Sequence, residues 1–331
     1  MDQITVKITN VLQSIFIAIF NSGQTLLYLP LIPAIVYYVT QTQLYHELLV
    51  IRQIWDEEYD YIVIGAGTAG SVMASRLSED PTKTVLLLEA GKAENIISDI
   101  PITALFLQET PMDWSFRTVP QTKSCFGIRD QSGFWRRGKS MGGSSAINTM
   151  LYVRGNPRDY DKWANDGAFG WSWPEVFPYF IKMEDNRNPE YVESGYHGVG
   201  GPLTVSSPSV LKKVSQAFHD SGPELGYPTG DFNGPIQSVF SIPQRTIRDG
   251  QRCSLAKAYL EPVVGRSNLH ILAKSFVTKI LFNEQKRAIG VEFDRIFMRH
   301  VVKARNEIIL SAGTVNSPKI LMLSGIDLLS K

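Results

Sequence analysis

The sequence predicts an α/β fold, α+β overall, in which a Rossmann-like nucleotide-binding domain is combined with part of an antiparallel-sheet domain. Three features predict this architecture. A short run rich in β-branched residues enters a glycine-rich turn and a helix. A second cluster of glycine and serine follows at residues 138–145. Near the end of the sequence, a further strand and helix return the chain to the nucleotide-binding fold.

Length and composition agree with a folded protein of about two domains. The chain has 331 residues, of which 44% are hydrophobic and 20% charged, which excludes a disordered or collagen-like chain. Its 33 basic and 32 acidic residues give a net charge of +1, so no basic surface for nucleic acid is expected. Two cysteines, Cys125 and Cys253, are too few for a disulfide scaffold, and sequence alone does not decide whether they pair.

Residues 1–55 are predicted to be a hydrophobic leader or signal-anchor with a linker. No Asp, Glu, Lys or Arg occurs between Lys7 and Glu47. Neither apolar run in that interval reaches the roughly 20 residues that a membrane-spanning helix needs. The two runs, Ile15–Phe20 and Leu26–Val39, could span a bilayer only if joined through a proline kink. An interfacial hairpin is the alternative. The expected location is secreted or membrane-anchored and extracellular.

The first glycine cluster has the order of a dinucleotide-binding unit. The run Tyr59–Ile64 predicts a buried strand, and it leads directly into G-x-G-x-x-G at residues 65–70. Ser71–Leu77 is predicted to be a helix and Thr84–Leu88 a second strand, which Glu89 closes. The glycines allow a tight turn and close approach of a pyrophosphate, and the acid can accept a hydrogen bond from a ribose. This unit alone does not distinguish FAD from NAD.

The second cluster and the end of the chain carry a family resemblance. RRGKSMGGSSAINTMLYVRGNPRDYDKWA, from Arg136, resembles the first signature of the glucose–methanol–choline (GMC) flavin oxidoreductases. YDYIVIGAGTAGSVMASRLSEDPTKTVLLLEAG, from Tyr59, resembles their FAD-binding opening, and the sequence from Ile309 resembles their second signature. Shorter phrases between these motifs resemble the insect glucose dehydrogenase-like branch. The resemblance therefore favours FAD over NAD.

The resemblance implies a set of cofactor-binding residues. Those expected around the FAD pyrophosphate are Gly65, Gly67, Thr68, Ala69 and Gly70. Those expected at the adenosine are Glu89, Ala90 and Val277, the last through its backbone. Those expected toward the flavin are Ser140, Gly142, Gly143, Asn148, Thr149, Met150 and Leu151. No metal ligand is predicted.

The implied chemistry is oxidation of an alcohol or sugar such as glucose, with hydride passing to flavin N5 and quinone or oxygen as the final acceptor. The family's catalytic histidine is expected beyond Lys331, so no catalytic residue is predicted in this chain. The alternative is a flavin-binding fragment or inactive short isoform that performs no catalysis. The expected fold is accordingly a C-terminally truncated version of the family's.

The remaining elements are predicted from local patterns. The nucleotide-binding parts are expected at residues 56–155 and 256–331, with partial substrate-domain elements at 156–255. Gly234–Thr246 and Asn268–Val291 are predicted to be strands of the substrate-domain sheet, and a final helix is predicted to begin at Ser317, with Pro318 in its first turn. Asp294–Val302 lacks the glycine-containing hairpin turn expected from the resemblance.

Overall fold

The computed structural model describes Tyr37, Arg52, residues 54–208 and residues 210–326. The predicted leader lies almost entirely outside the described residues, and so do the last five residues of the chain. Among the described residues, no helix is both long enough and apolar enough to cross a bilayer. The described residues up to Thr149, together with those from Ser254 onward, form one compact unit, and Met150–Cys253 form a second.

The helices and strands follow one another in both units along the chain. In order they are β1 (Glu58–Ile64), α1 (Thr68–Leu77), β2 (Val85–Leu88), α2 (Ile96–Asp99), a 3-10 helix (Pro101–Leu107), β3 (Phe116–Arg117), a 3-10 turn (Arg129–Gln131), β4 (Phe134–Trp135), a 3-10 helix (Gly143–Ala146), α3 (Pro157–Asn165), α4 (Trp173–Met183), β5 (Glu184–Asn186), α5 (Pro189–Glu193), β6 (Leu203–Val205), α6 (Lys213–Glu224), β7 (Ile247–Arg248), β8 (Gln251–Arg252), a π-helical turn (Ala256–Leu260), a 3-10 turn (Glu261–Val263), β9 (Leu269–Leu272), β10 (Phe276–Phe282), β11 (Ala288–Arg295), β12 (Met298–Leu310) and α7 (Gly313–Leu323).

A six-stranded mixed sheet organises the first unit. Its strand order is β10-β11-β12-β1-β2-β9. The four strands from β12 to β9 are parallel, while β10, β11 and β12 pair antiparallel. Ile64 pairs with Leu88 on one side and with Leu310 on the other, so three parallel strands end at the same edge. In an α/β sheet, ligands bind at this carboxyl edge.

Both faces of the central strands are buried, as expected for parallel strands that read as continuous apolar runs. One face of β1 contributes Ile62 and Ile64 to a core shared with Phe293 on β11. The other face contributes Val63 to a core beneath α1 that includes Ala74. The predicted fold class is confirmed.

Three local predictions were wrong. Gly234–Thr246 contains no strand and only isolated bridges, because Pro235 and Pro243 cannot donate to a ladder. The strands within Asn268–Val291 exist, but they belong to the six-stranded sheet of the first unit, since β9 pairs with β2. The final helix begins at Gly313 rather than Ser317, and Pro318 lies inside it. Cys125 and Cys253 do not form a disulfide.

The missing hairpin glycine has a structural counterpart. Arg295 pairs with Met298, so Ile296 and Phe297 alone connect β11 to β12. Both residues have positive φ, +49° and +61°. This is the geometry of a type I′ turn, which normally carries Asn-Gly because a β-branched or bulky residue is strained there. The turn therefore stores backbone strain at the end of this hairpin.

Relieving that strain is expected to stabilise the chain. The double variant Ile296→Asn/Phe297→Gly should raise the free energy of unfolding by about 1–2 kcal/mol, since the new residues tolerate positive φ. Thermal and urea unfolding followed by circular dichroism would measure it. Phe126→Gly is the control, because Phe126 is also exposed but is not among the positive-φ residues. An unchanged or lower stability of the double variant would contradict the strain.

A buried polar network holds the second unit together. The side chains of Arg154 and Glu184 form an ion pair with no solvent exposure. Glu184 Oε1 also lies 2.8 Å from Nδ1 of His197, whose Nε2 lies 2.7 Å from Asp231 Oδ2. The amide of Asn186 contacts the same Glu184 oxygen at 2.9 Å. A buried charge is tolerated only when its partners are complete, and here they are supplied from four separate segments.

The network makes stability depend on pH. Burial disfavours the protonated imidazole of His197, but hydrogen bonds to Asp231 and Glu184 outweigh burial and raise its pKa. The stabilisation is therefore complete below the ordinary histidine pKa of 6.5 and is lost as pH rises through the raised value in the folded protein. Urea unfolding at pH 6 and pH 8 should show this loss. The loss should be smaller in His197→Gln than in His219→Gln, and equal losses in the two variants would contradict the assignment.

Candidate cofactor site

A cleft of about 540 Å³ opens at the carboxyl edge of the sheet in the first unit. The ends of three parallel strands form its floor, at Ile64, Leu88 and Leu310. The loops that follow these strands form its walls, and the first turn of α7 lines it as well. The volume lies within the range of ordinary ligand sites.

The first glycine loop is shaped by close backbone packing. Gly65 has φ +93°, which favours glycine, and a Cβ there would stand 2.6 Å from the Ser311 carbonyl oxygen. At Gly70, in the first turn of α1, a Cβ would stand 1.8 Å from the Gly65 carbonyl oxygen. Gly70 therefore allows the helix to pack against the strand end. The loop directs the start of α1 at the cleft, where Thr68 and Ala69 line the wall.

Glu89 ties this loop to the end of β2. Its Oε2 accepts a hydrogen bond from the Ala66 N–H at 2.8 Å, and its Oε1 accepts one from the Gly91 N–H at 2.7 Å. Burial raises the pKa of the carboxyl group to about 7, although these two backbone donors lower it. Glu89 still lines the cleft, so it supports the glycine loop and presents an acceptor to a ligand.

The second glycine cluster docks on the first. The Gly142 N–H donates to the Ala66 carbonyl at 2.8 Å. Gly143 has φ +54°, and a Cβ there would stand 2.7 Å from Gly67 Cα. Two sequence motifs far apart in the chain therefore meet backbone to backbone, which requires glycine at position 143.

Aromatic and cationic side chains complete the walls. Trp114 and Phe116 are stacked, with ring centroids 5.8 Å apart and an interplanar angle of 4°. Phe276 lies against Trp114 at 6.1 Å. Arg137 and Lys319 bring two positive charges to the lining, against one carboxyl group from Glu89. An elongated ligand with anionic phosphates and flat rings matches this lining.

Eight of the predicted residues line the cleft, namely Gly65, Gly67, Thr68, Ala69, Glu89, Ala90, Gly143 and Val277. Gly70, Ser140, Gly142, Asn148 and Thr149 lie in the same unit outside the lining. Met150 and Leu151 belong to the second unit, with Met150 buried and Leu151 half exposed. Gly70 and Gly142 support the loops instead.

Sequence reasoning assigned no site role to several lining residues. Arg137 and Lys319 lie within the two family signatures but were given no role, whereas Trp114, Phe116 and Phe276 lie outside all three motifs. An aromatic-rich segment is compatible with a wall facing a ligand or with ordinary core packing, and the structure places Trp114 and Phe116 in the lining. The positions of the others depend on tertiary folding.

Parallel strands with a glycine-lined cleft at their carboxyl edge define a dinucleotide-binding protein. The chain belongs to the GMC oxidoreductase family, because its residues 59–328 match the sequence pattern of that family. It is 45% identical over 273 residues to the glucose dehydrogenase [FAD, quinone] of Drosophila melanogaster, covering 82% of this chain and 44% of that protein. It is 42% identical to an alcohol dehydrogenase [acceptor] of Pseudomonas putida, covering 81% and 48%.

Solved structures agree with this assignment. The chain superposes on pyridoxine 4-oxidase from Mesorbium loti with a TM-score of 0.73 at 34% identity, covering 81% of this chain and 52% of that one. The chain thus spans about half the length of the relatives it matches. The predicted family is confirmed, and FAD as the cofactor of that family is confirmed by the relatives' names.

The residues present fit FAD. A Cβ at Gly143 would fill its contact with Gly67, so the glycine leaves room there. The helices α1 and α7 both begin at the cleft. The two cations complement a pyrophosphate, and the aromatic wall complements a ring system. Neither NADP nor a metal ion is needed to account for this lining.

Glu89→Gln is expected to weaken flavin retention by about ten-fold or more, since a charge-assisted hydrogen bond is replaced by opposed N–H groups. Flavin content after dialysis, read by absorbance, would measure it, with Glu284→Gln on an exposed turn as the control. The free energy of unfolding of the wild-type protein should also fall as the pH rises from 4.5 to about 7, because folding raises the pKa of the Glu89 carboxyl group. Equal flavin content in the two variants would contradict the role of Glu89.

Proposed function

We propose that this chain forms the FAD-binding part of an oxidoreductase that acts on CH–OH donors, with an alcohol or a sugar such as glucose as the substrate. The observation that carries the proposal is the cleft in which both glycine clusters meet. The similarity to a glucose dehydrogenase and to an alcohol dehydrogenase supports the substrate class. One relative's name mentions a quinone and the other an unspecified acceptor, so the proposal does not name a single electron acceptor.

The chain's own residues bind and orient the cofactor. The start of α1 and the cations Arg137 and Lys319 would hold the pyrophosphate, and Glu89 would accept from the adenosine ribose. Gly143 would lie close to the ligand because it carries no Cβ. When bound, the flavin supplies the hydride-accepting chemistry of the reaction. The aromatic wall of Trp114 and Phe116 would exclude water from one side of the ligand.

Flavin binding and turnover test the proposal separately. Purified chain should show flavin absorbance bands, and the released cofactor should be FAD rather than NAD by chromatography. A Gly143→Val variant, which forces a Cβ into the Gly67 contact, should lose the bands. Wild-type protein without any nucleotide, or with nicotinamide, would overturn the assignment. Glucose and simple alcohols with an artificial acceptor then test the substrate class.

The second candidate is a flavin-binding chain that does not itself catalyse turnover. It is supported by the lining of the cleft, in which the described residues include no histidine. A general base must lie within hydrogen-bond reach of the substrate hydroxyl. Flavin bands without turnover would favour this candidate. Turnover at a rate that rises with substrate concentration would exclude it.

We also propose a secreted or membrane-anchored extracellular location, on the basis of the apolar N-terminal sequence. Fractionation of cells that express the full chain, with and without alkaline extraction, would test it. A fully cytosolic product would contradict it.

A further inference from the structure

We propose that the turn between β11 and β12 is a contact with a lipid bilayer, into which Ile296 and Phe297 insert. This inference rests in part on the proposed location at a membrane, and it does not depend on the bound cofactor or the substrate. It rests on the exposure and strain of the turn, on the chain segment that lies beside it, and on the cations that flank it.

The turn exposes more apolar surface than a water-facing hairpin requires. Phe297 is fully exposed and Ile296 is 63% exposed. Met298 and Val301 on the adjoining strand are also more than half exposed. An Asn-Gly turn would be both less strained and more soluble, so Ile296-Phe297 carries two costs at one site. Insertion into a bilayer would offset the cost of the apolar exposure, because both side chains would leave water.

The chain enters the fold beside this turn. The Arg295 guanidinium, at the end of β11, donates to the Arg52 carbonyl at 3.1 Å. Trp55 packs on the ring of His300, with centroids 5.1 Å apart. The apolar sequence between Lys7 and Glu47 precedes this part of the chain, of which Arg52 and Trp55 lie beside the turn. If that sequence is held at a membrane, the turn is the part of the sheet brought to the same surface.

Cations flank the apolar turn. Lys274 and Arg299 are exposed and line the same hollow as the turn. Arg299 pairs with Asp294 at 2.9 Å and with Glu292 at 3.3 Å, which keeps it beside the turn. With Arg295, the three cations exceed these two acids by one positive charge. An apolar tip bordered by basic side chains matches acyl chains bordered by lipid phosphates.

Tryptophan fluorescence on the full chain tests the proposal directly. Phe297→Trp places a reporter at the tip, and Lys286→Trp places one in the β10–β11 turn at the other end of β11. With vesicles of phosphatidylcholine and phosphatidylserine, the emission added by Trp at 297 should shift to the blue. Brominated phosphatidylcholine should quench that emission. The emission added at 286 should respond to neither.

A second variant keeps the test independent of folding. Ile296→Asn/Phe297→Gly should lower partitioning into the same vesicles by about ten-fold, since burial of a Phe side chain alone is worth that factor. The same variant is expected to be more stable than wild type, so weaker binding cannot come from unfolding. Unchanged partitioning would overturn the proposal. So would emission at 297 that is already blue-shifted without vesicles, which would show the tip buried against this chain or a second copy.

Discussion

Glu184→Ala is expected to lower the free energy of unfolding of the second unit by about 3–5 kcal/mol. Glu184 accepts hydrogen bonds from the Arg154 guanidinium, from the Gly198 N–H at 3.1 Å and from the Asn186 amide, and it contacts His197. The substitution leaves the buried Arg154 charge without its carboxylate, and breaking one side of a buried pair costs far more than the pair contributes. The side chains involved have no solvent exposure that could compensate.

Hydrogen exchange measured by mass spectrometry would locate the loss. Peptides from residues 184–205 should exchange much faster in Glu184→Ala, while peptides from β1 and β2 should change little. Asp166→Ala is the control, because its ion pair with Lys162 is more than half exposed and is worth about 0.3–0.5 kcal/mol. If the two variants lose similar stability, the buried network does not hold this unit together.

Gly70→Ala is expected to destabilise the first unit by about 3 kcal/mol or more and to abolish flavin retention. Gly70 lies in α1, where alanine would normally be preferred by up to about 1 kcal/mol. Here the added Cβ would meet the Gly65 carbonyl oxygen at 1.8 Å, and that oxygen belongs to backbone that cannot rotate away. The sign of the effect is therefore opposite to what helix propensity alone predicts.

The matched control for this variant is Gly265→Ala. Nothing lies within 4 Å of a Cβ at Gly265, and its φ is not in the left-handed region. Its unfolding free energy should stay within about 0.5 kcal/mol of wild type. Urea unfolding and flavin absorbance of both proteins would measure the difference. A Gly70→Ala protein that keeps wild-type stability and flavin would show that α1 does not pack on the loop as described.

The nucleotide-binding strand, turn and helix could be predicted from the sequence because their signals are local. Glycine spacing, β-branched runs and a closing acid all fall within residues 59–89, and the structure keeps them in that order. The sequence even indicated that the β11–β12 turn is abnormal. It could not indicate that Ile296 and Phe297 would nevertheless form the tight turn, because local propensity opposes it.

What could not be predicted depends on contacts between distant segments. Trp114 and Phe276 meet only after β10 has joined the sheet, and no spacing in the sequence links them. The strands within Asn268–Val291 carried a correct strand pattern, but strand partners are not encoded in alternation. The strand prediction for Gly234–Thr246 was wrong for a different reason: the apolar residues of this segment suggested a strand, but its two prolines cannot donate to a ladder.

The strand β12 changes partner along its length. Residues 298–303 pair with β11 and residues 303–310 pair with β1, so the two neighbours overlap only at Lys303. A register shift between Tyr59 and Tyr61 places an irregularity in the pairing just beyond that point. The hairpin also leads back to the cofactor, because Asp294, beside its turn, pairs with Phe276, which lines the cleft. A change in the length of this hairpin would therefore reach the aromatic wall of the cleft through β10.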